Sequence, residues 1–302
     1  MTAAELDLPD ILIEPLVRAA LLEDLGRAGD ITTDAIVPAG LRATAAMVAR
    51  EAGVVSGLRA AALAFRCLDP DMRIEVVTPD GSRVGPGDTV MRVSGSARAL
   101  LSAERIALNF ACSLSGVASA TADLVAGAKG YPARITCTRK TTPGLRALQK
   151  AAVRAGGGAN HRFGLDDAVL IKDNHVALAG GVVPTIERAR ARVGHLVKIE
   201  VEVDTLEQLE QAMTAAPDAV LLDNMTPDQL RAAVAIVAGR AVTEASGRIT
   251  AATVRAVAAS GVDLISAGWL THSAKAWTSA SISICRRRMR DRRRSSSRAR
   301  AC

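Results

Sequence analysis

Alternating strand-like and helix-like segments begin near residue 115 and constrain the fold more than any other feature of this chain. Six short apolar segments are predicted strands: 134–138, 168–172, 197–203, 219–222, 241–245 and 264–267. The predicted helices lie at about 115–128, 145–155, 183–193, 206–214, 227–238 and 250–259. Strands that are separated by crossover helices pair in parallel. Because no dinucleotide glycine fingerprint is present, the pattern favours an α/β barrel of fewer than eight strands.

The residues before this region lack the alternation and predict a separate N-terminal α/β sandwich. Apolar residues at helical spacing indicate a helix over 9–25, and a second helical pattern covers 96–112. Between them lie strand-like runs at 43–49, 73–78 and 89–93. We therefore expect a sandwich domain over 1–114, a barrel over 115–276 and an atypical tail over 277–302.

Composition limits the cellular setting of the chain. Hydrophobic residues make up 49% of its 302 residues, enough to bury a large core. No uninterrupted apolar run reaches about eighteen residues, and no basic-then-apolar leader opens the sequence, so we expect neither a membrane span nor a membrane partner. The five cysteines lack paired or metal-ligand spacing, which predicts reduced thiols and a cytoplasmic location.

The net charge of +7 comes from the end of the chain. Residues 286–300 contain nine arginines and one aspartate, a net of +8, so the rest of the chain carries −1. The basic balance is therefore no evidence that the folded part binds nucleic acid, and nucleic acid is not an expected partner.

Cations gather at the ends of predicted strands between residues 138 and 175. Arg139 and Lys140 follow Thr138, His161 and Arg162 follow a glycine run, and a further cation ends a strand at Lys172. An isolated Arg-Lys pair would suggest a solvated loop. Several cations at the ends of buried strands instead predict an anionic ligand with more than one negative group.

The glycine run Gly156–Gly158 has two interpretations. It can simply end the preceding helix, or it can let the backbone approach a ligand closely. The histidines outside this region, His175, His195 and His272, show no metal-ligand spacing and are expected to be structural.

Two carboxylates and two glycine turns end the later strands. Glu202 and Asp223 would lie on one rim of a barrel, where they either pair with the cations or bind sugar hydroxyls and stabilise a developing cation. Turns at Ser246-Gly247 and Ala267-Gly268 follow the last two strands, the position at which barrels bind phosphate.

Together these motifs resemble the quinolinate phosphoribosyltransferase family. The matching segments are 23–26 with 29–33, 104–109, 138–141, 156–162, 171–175, 199–202, 222–224 and 270–273. The resemblance runs from about residue 10 to 276. It implies an N-terminal α/β sandwich joined to an incomplete α/β barrel, as in type II phosphoribosyltransferases.

The resemblance also implies an activity and a division of roles. The family transfers phosphoribosyl from phosphoribosyl pyrophosphate to quinolinate and releases pyrophosphate and carbon dioxide, leaving nicotinate mononucleotide for NAD biosynthesis. Mg²⁺ is the expected cofactor, and the expected assembly is a homodimer with shared sites, with a hexamer as a larger alternative. The implied catalytic residues are Lys140, Glu202 and Asp223. Substrate binding is implied for Arg105 of the partner subunit and for Thr138, Arg139, Lys140, His161, Arg162, Lys172, Glu202, Asp223, Ser246, Gly247, Arg248, Ala267, Gly268 and Trp269. Glu202 and Asp223 form the expected Mg²⁺ environment, mostly through substrate.

The chain departs from the family pattern near its end. Arg248 stands where the family has glycine, and Trp269 replaces a small residue. After Ala276 the family has a sequence like Ala-Leu-Asp-Ile-Gly-Leu-Asp-Ile, whereas this chain reads Trp277-Thr278-Ser279 and continues into an arginine-serine run. Loss of one base would produce this change, so we hypothesise a frameshift after Ala276 and expect a disordered tail that lacks the family's packing.

Two other functions stay open from the sequence. One is a related pyrophosphorylase with a different acceptor, like the molybdenum-transport-associated homologues. The other is a non-catalytic protein that binds acidic partners through its tail, which predicts steeply salt-dependent binding that is lost without residues 285–302.

Overall fold

The computed structural model describes residues 8–277 and 280–285, the last six by their backbone alone. The helices are α1 (Asp10–Leu25), α2 (Ile31–Ile36), α3 (Leu58–Leu68), α4 (Ala97–Gly127), α5 (Arg146–Ala155), α6 (Asp173–Ala179), α7 (Val182–Arg192), α8 (Leu206–Thr214), α9 (Pro227–Val237), α10 (Val254–Ala258) and α11 (Trp269–His272). The strands are β1 (Arg42–Ala49), β2 (Gly53–Val54), β3 (Arg73–Val76), β4 (Arg83–Val84), β5 (Thr89–Ser96), β6 (Arg134–Thr136), β7 (Val169–Ile171), β8 (Ile199–Val203), β9 (Ala219–Asp223), β10 (Val242–Ser246), β11 (Leu264–Ser266) and β12 (Ala280–Cys285).

The N-terminal unit is an antiparallel sheet covered by helices. Its strand order is β12-β1-β5-β3, and β2 pairs separately with β4. Along β1, buried residues alternate with more exposed ones, so the strand presents one apolar face to the core. Helices α3 and α4 pack against each other beneath this face, and the core between them contains the fully buried Phe65. This unit confirms the expected α/β sandwich.

Helix α4 connects the sandwich to the barrel. It is a single helix of 31 residues, whereas the sequence pattern predicted separate helices over 96–112 and 115–128. Ser96 caps its N-terminus, and glycine within a helix costs only about 1 kcal/mol, which burial of the surrounding side chains offsets. By length and composition α4 could cross a membrane, yet half of its most apolar window is buried within the protein. It is thus the core helix that both units share. The predicted division at residue 114 lies within it and stays a prediction.

Six parallel strands form the second unit in the order β6-β11-β10-β9-β8-β7. All six predicted barrel strands are present to within a few residues. The sheet stays open between β6 and β7, with a single bridge from Thr136 to Ala159 on the free side of β6. An incomplete α/β barrel of fewer than eight strands is therefore confirmed.

The end of the chain differs from the expectation of a tail without packing. Trp277 is only 7% exposed, and its backbone N–H donates to the Cys112 carbonyl at 2.9 Å. Residues 280–285 form β12, which pairs antiparallel with β1 from Ala280–Ala49 to Cys285–Thr44. A strand ladder is built from backbone groups, so an altered sequence rich in β-branched isoleucine still supports it. The rest of the expected tail, 286–302, lies outside the described residues.

Candidate active site

The carboxyl ends of the six barrel strands surround a cavity of about 260 Å³, here called the mouth cavity. Every barrel strand contributes to it, either from its last residues or from the loop that follows. Nine of the predicted site residues line it: Thr138, Arg139, Lys140, His161, Arg162, Lys172, Glu202, Asp223 and Ser246. The parallel topology thus brings together side chains up to about a hundred positions apart in sequence.

The other predicted site residues lie outside this lining. Gly247, Arg248, Ala267, Gly268 and Trp269 belong to the turns beside it. Arg105 is exposed on α4 and does not line the mouth cavity of its own chain.

Two neighbouring guanidinium groups define the anionic preference of the mouth cavity. The Nε atoms of Arg139 and Arg162 are both buried without a hydrogen-bond partner. Arg162 donates through Nη1 to the Ala168 carbonyl at 2.7 Å, which holds the group in place. Burial lowers the pKa of Arg162, and the nearby charge of Arg139 lowers it further. Two unsatisfied like charges side by side are costly, and an anion with two negative groups would satisfy both.

The carboxylates of the rim are engaged by neighbouring donors. Lys172 Nζ lies 2.5 Å from Glu202 Oε2, and Glu202 is only 15% exposed. Asn224 Nδ2 donates to Asp223 Oδ2 at 2.6 Å. Glu202 therefore forms an ion pair with one of the cations, which is one of the two interpretations left open by the sequence. Both carboxylates still line the mouth cavity.

Glu202 and Asp223 fit a Mg²⁺ ion that is held mainly by substrate. Within the part of the chain that the structure describes, no third histidine, cysteine or carboxylate joins them in a ligand cluster. Mg²⁺ commonly binds through one or two carboxylates, several waters and substrate phosphates, so a set of two carboxylates is sufficient.

The turn after β10 requires glycine because it lies directly against Asn224, and a phosphate cradle at this turn stays a prediction. Gly247 has a φ of +95°, and a Cβ there would lie 2.2 Å from Asn224 Oδ1, so only glycine fits. Arg248 also has a positive φ, +52°, which costs a non-glycine residue about 1–2 kcal/mol. Arg248 therefore adopts a left-handed backbone conformation that favours glycine, the residue that the family pattern has at this position.

The turn after β11 is built differently from the expected cradle. The Ala267 N–H donates to the Thr136 carbonyl at 3.0 Å, so it belongs to the sheet and is not available to a phosphate. The Trp269 indole N–H donates to the Ile249 carbonyl at 2.8 Å and ties this turn to the loop after β10. Thr271 Oγ1 donates to the Lys140 carbonyl at 2.7 Å, which fixes the backbone beside the mouth cavity.

The glycine run before His161 is explained by packing. A Cβ on Gly156 would lie 2.3 Å from the Ala118 carbonyl oxygen of α4. The close approach is thus to the core helix, and the interpretation of Gly156–Gly158 as backbone facing a ligand is wrong for Gly156. Packing of this loop against α4 places His161 and Arg162 at the mouth cavity.

Two buried glutamates escaped the prediction of site residues. His161 Nε2 lies 2.9 Å from Glu200 Oε2 and 3.8 Å from Glu244 Oε1. Glu244 is 1% exposed, and its Oε1 has no hydrogen-bond partner. Burial and the charge of Glu200 raise the pKa of Glu244 to about 7. The period-two spacing of Glu200 with Glu202, and of Glu244 with Ser246, could have revealed them, because alternate strand residues share a face.

A second cavity, of about 650 Å³, opens at the opposite end of the barrel. It is lined by residues at the starts of the strands, including Arg134, Lys198 and Asp218. His161, Arg162 and Glu244 line both cavities, so these side chains form the partition between the two ends of the barrel.

Comparison with known proteins agrees with this fold. The model of the quinolinate phosphoribosyl transferase C-terminal domain matches residues 117–278, and that of the N-terminal domain matches residues 30–115. A nicotinate-nucleotide pyrophosphorylase [carboxylating] of Mycobacterium leprae is 45% identical, covering 86% of this chain and 93% of the relative. A probable nicotinate-nucleotide pyrophosphorylase [carboxylating] of Synechocystis is 42% identical over 85% and 88%. The crystal structure of NadC from Streptococcus pyogenes has a TM-score of 0.87 and 40% identity, covering 92% of this chain and 97% of that one.

An incomplete parallel α/β barrel joined to an N-terminal sandwich is the architecture of the type II phosphoribosyltransferases. The chain belongs to the quinolinate phosphoribosyltransferase family, on the match of both domain models and the identity to its relatives. It is a pentosyltransferase of pyridine-nucleotide biosynthesis.

Proposed function

We propose that this chain transfers the phosphoribosyl group of phosphoribosyl pyrophosphate to quinolinate, and forms nicotinate mononucleotide, pyrophosphate and carbon dioxide. The observation that carries the proposal is the pair of buried, unpartnered Nε atoms of Arg139 and Arg162. Quinolinate carries two adjacent carboxylates, and arginine binds carboxylate with a planar fork of donors. Lys172 also lines the mouth cavity and supplies a third cation.

Other residues that line or border the mouth cavity suit phosphoribosyl pyrophosphate. Lys140 is exposed at the rim, where an ammonium group can neutralise pyrophosphate as a point charge. Glu202 and Asp223 provide acceptors for the ribose hydroxyls, and Thr138 with Ser246 adds hydroxyl groups. The turn Ser246-Gly247-Arg248 receives the 5′-phosphate, with Gly268 and Trp269 beside it.

The reaction uses these groups at the point where charge develops. As pyrophosphate leaves, the anomeric carbon gains oxocarbenium character, which the Glu202 and Asp223 carboxylates stabilise electrostatically. Lys140 balances the charge that accumulates on the departing oxygens. A bound Mg²⁺ would supply further neutralisation of the pyrophosphate, held by Glu202 and Asp223 mostly through substrate.

Decarboxylation needs no further acid group on the protein. The quinolinate nitrogen attacks the anomeric carbon and becomes a positively charged pyridinium. When the adjacent carboxylate leaves as carbon dioxide, the electron pair of the broken bond stays on the ring carbon, where the neighbouring pyridinium charge stabilises it, and a proton from water then completes nicotinate mononucleotide. Arg139 and Arg162 orient the dianion so that its nitrogen faces the ribose.

A homodimer with shared sites is the assembly that we propose. Helices α1 and α2 expose large apolar side chains, among them Ile11, Leu22, Ile31 and Ile36, each at least 69% exposed. An apolar surface of this kind is typical of an interface between subunits. It would bring Arg105 of one chain to the mouth cavity of the other. The reduced thiols of Cys67 and Cys137 support a cytoplasmic location.

The purified chain tests the activity directly. With phosphoribosyl pyrophosphate and Mg²⁺, quinolinate should give nicotinate mononucleotide and carbon dioxide in equal amounts. Nicotinate, which lacks the second carboxylate, is the matched control acceptor and should react far more slowly. If nicotinate reacted faster than quinolinate, nicotinate and not quinolinate would be the acceptor. No product from quinolinate, in a sample whose folding is verified, would overturn the activity.

A further inference from the structure

The imidazole ring of His161 is hydrogen-bonded at both nitrogens. The backbone N–H of Arg162 donates to Nδ1 at 2.8 Å. On the other side, Nε2 lies 2.9 Å from Glu200 Oε2. A backbone N–H can only donate, so Nδ1 must carry a lone pair and Nε2 must carry the ring proton. The ring in this arrangement is the neutral tautomer that donates to Glu200.

The surrounding charges act on the ring in opposite directions. Burial opposes the charged form, but the hydrogen bond to Glu200 and the charges of Glu244 and Glu200 outweigh it and raise the pKa of His161. The Lys150 ammonium, the other charged group facing the ring, opposes protonation. Protonation at Nδ1 would also turn the Arg162 N–H from a partner into an opposing donor. The glutamates therefore favour a proton on Nδ1 and the Arg162 N–H opposes it, and the hydrogen bonds of this structure are those of the neutral ring.

The same network argues against a metal ion at these residues. One imidazole nitrogen and two carboxylates, with donor atoms within 4.8 Å of one another, would otherwise suit a divalent cation. A metal-bound imidazole donates its remaining N–H to an acceptor. Here the remaining nitrogen faces a donor, so the ring serves the hydrogen-bond network instead.

We infer that His161 and Glu200 are positioning residues that set the backbone and guanidinium of Arg162, and that the His161 ring does not contact quinolinate as a cation. This inference rests on the proposed function. It differs from the direct contact with substrate that the family resemblance suggests for His161.

Contacts on the neighbouring backbone support this assignment. The His161 carbonyl accepts from the fully buried Lys150 Nζ at 2.7 Å, so the residue is held from three directions. Arg162 follows directly, and its Nη1 is fixed by the Ala168 carbonyl. Its Nε is buried without a hydrogen-bond partner. Glu200 thus acts through the His161 ring to fix the position of the Arg162 guanidinium.

Nitrogen NMR reads the tautomer without any assay of activity. In protein labelled with ¹⁵N-histidine there are four ring systems, and the His161 signals are identified by their loss in His161→Gln. We expect one protonated Nε2 and one unprotonated Nδ1 at pH 7 in the free enzyme, and the same after quinolinate is added. Protonation of both nitrogens in either state would overturn the inference.

Kinetics of two Glu200 variants test the positioning role. Glu200→Gln keeps an acceptor for the ring N–H and should retain most of the affinity for quinolinate. Glu200→Leu leaves that donor buried and unsatisfied, so KM for quinolinate should rise on the order of tenfold or more, while KM for phosphoribosyl pyrophosphate changes little. Equal increases in both KM values, with a lowered Tm, would reduce Glu200 to a general structural role. If quinolinate were not a substrate of the wild-type chain, the proposed function would fail while the NMR result still decided the tautomer.

Discussion

At the scale of single residues, the site is organised by charges left unsatisfied within the folded chain. Arg139 and Arg162 raise each other's electrostatic cost, and neither Nε has a partner among the described residues. Lys172, by contrast, already has Glu202 as a partner at 2.5 Å. The arginines therefore gain most from a dianion, whereas Lys172 must exchange one carboxylate for another.

Removal of either arginine should act on one substrate. Arg139→Ala or Arg162→Ala should weaken quinolinate binding by about 2–5 kcal/mol, because a buried charge pair loses one member. The KM for phosphoribosyl pyrophosphate should change much less. Steady-state kinetics with each substrate varied in turn measures both. Arg231→Gln, on the exposed helix α9, is the matched control. Comparable losses for the two substrates would mean that the cations do not divide them as proposed.

The sequence allowed prediction of the residues at strand ends but not of those within the strands. Arg139, Lys172, Glu202 and Asp223 follow apolar runs, so their place at the mouth of a barrel could be inferred from topology. Glu244 lies inside a strand, where a carboxylate is normally expected to face solvent. The period-two spacing of Glu244 with Ser246 places both on one face of the strand, but the burial of Glu244 depends on the closure of the barrel around that face.

The buried carboxyl of Glu244 should make stability depend on pH. Its pKa of about 7 lies above the ordinary 4.5, so the folded chain keeps a proton that the unfolded chain releases. The free energy of unfolding therefore falls as pH rises from about 4.5 to about 7, by about 1–3 kcal/mol from this group. The side chain of Glu244→Gln cannot ionise. The free energy of unfolding of this variant, relative to that of the wild type, should therefore increase between pH 5 and pH 8.

Urea unfolding at the two pH values measures this gain. Glu210→Gln, at an exposed position on α8, is the control and should follow the wild type at both pH values. A constant difference between Glu244→Gln and the wild type would show that Glu244 does not titrate in this range.

At the scale of elements, the hydrophobic pattern predicted the repeated strands of the barrel but missed one helix and one strand of the N-terminal unit. The barrel strands were predicted to within a few residues because buried parallel strands are short apolar runs. Helix α3 was missed: between Arg59 and Arg66 it is an unbroken run of alanine, leucine and phenylalanine, which is buried against α4 and α1 and therefore shows little local periodicity. Strand β12 was missed because the altered sequence hides a pairing made by the backbone.

Packing of the glycine run against α4 should control the site at a distance. Gly156→Ala would place a Cβ 2.3 Å from the Ala118 carbonyl, and the backbone must shift at a cost of about 1–3 kcal/mol. We expect a lower Tm together with a higher KM for quinolinate, because His161 and Arg162 follow in the same loop. Gly194→Ala, where nothing lies within 4 Å of the added Cβ, is the control and should be close to neutral. A lower Tm with unchanged kinetics would separate the loop from the site.

Strand β12 should contribute to stability although its sequence departs from the family pattern. A chain that ends at Trp277 loses the six residue pairs with β1 and exposes the edge of that strand. We expect its free energy of unfolding to fall by a few kcal/mol, at about 0.5–1.5 kcal/mol for each ladder hydrogen bond. A chain that ends at Cys285 keeps the strand and is the control. Equal thermal midpoints for these two chains would mean that β12 adds no stability, as the frameshift hypothesis first suggested.

At the scale of the whole molecule, a single chain leaves two features unexplained. Arg105 matches a motif of the family yet lies exposed on α4, away from the mouth cavity of its own chain. The outer surface of α1 and α2 exposes large apolar side chains. A two-fold dimer accounts for both if the apolar surface forms the interface and carries Arg105 to the partner's barrel.

Complementation between two inactive variants tests this shared site. Arg105→Ala and Lys140→Ala should each abolish activity alone, because each removes a cation from every site of its homodimer. In a hybrid dimer, one site receives Arg105 from one chain and Lys140 from the other, while its second site lacks both. Random exchange of equal amounts makes half of the dimers hybrids, so activity should return to about a quarter of the wild-type value in a two-fold symmetric assembly. Differently tagged chains, purified through both tags, verify that hybrids have formed. Inactive hybrids would mean that Arg105 does not act in the partner's site. A mixture of Lys140→Ala and Arg139→Ala is the control. Both residues lie in the mouth cavity of one barrel, so every barrel of that hybrid lacks one of them and no activity should return.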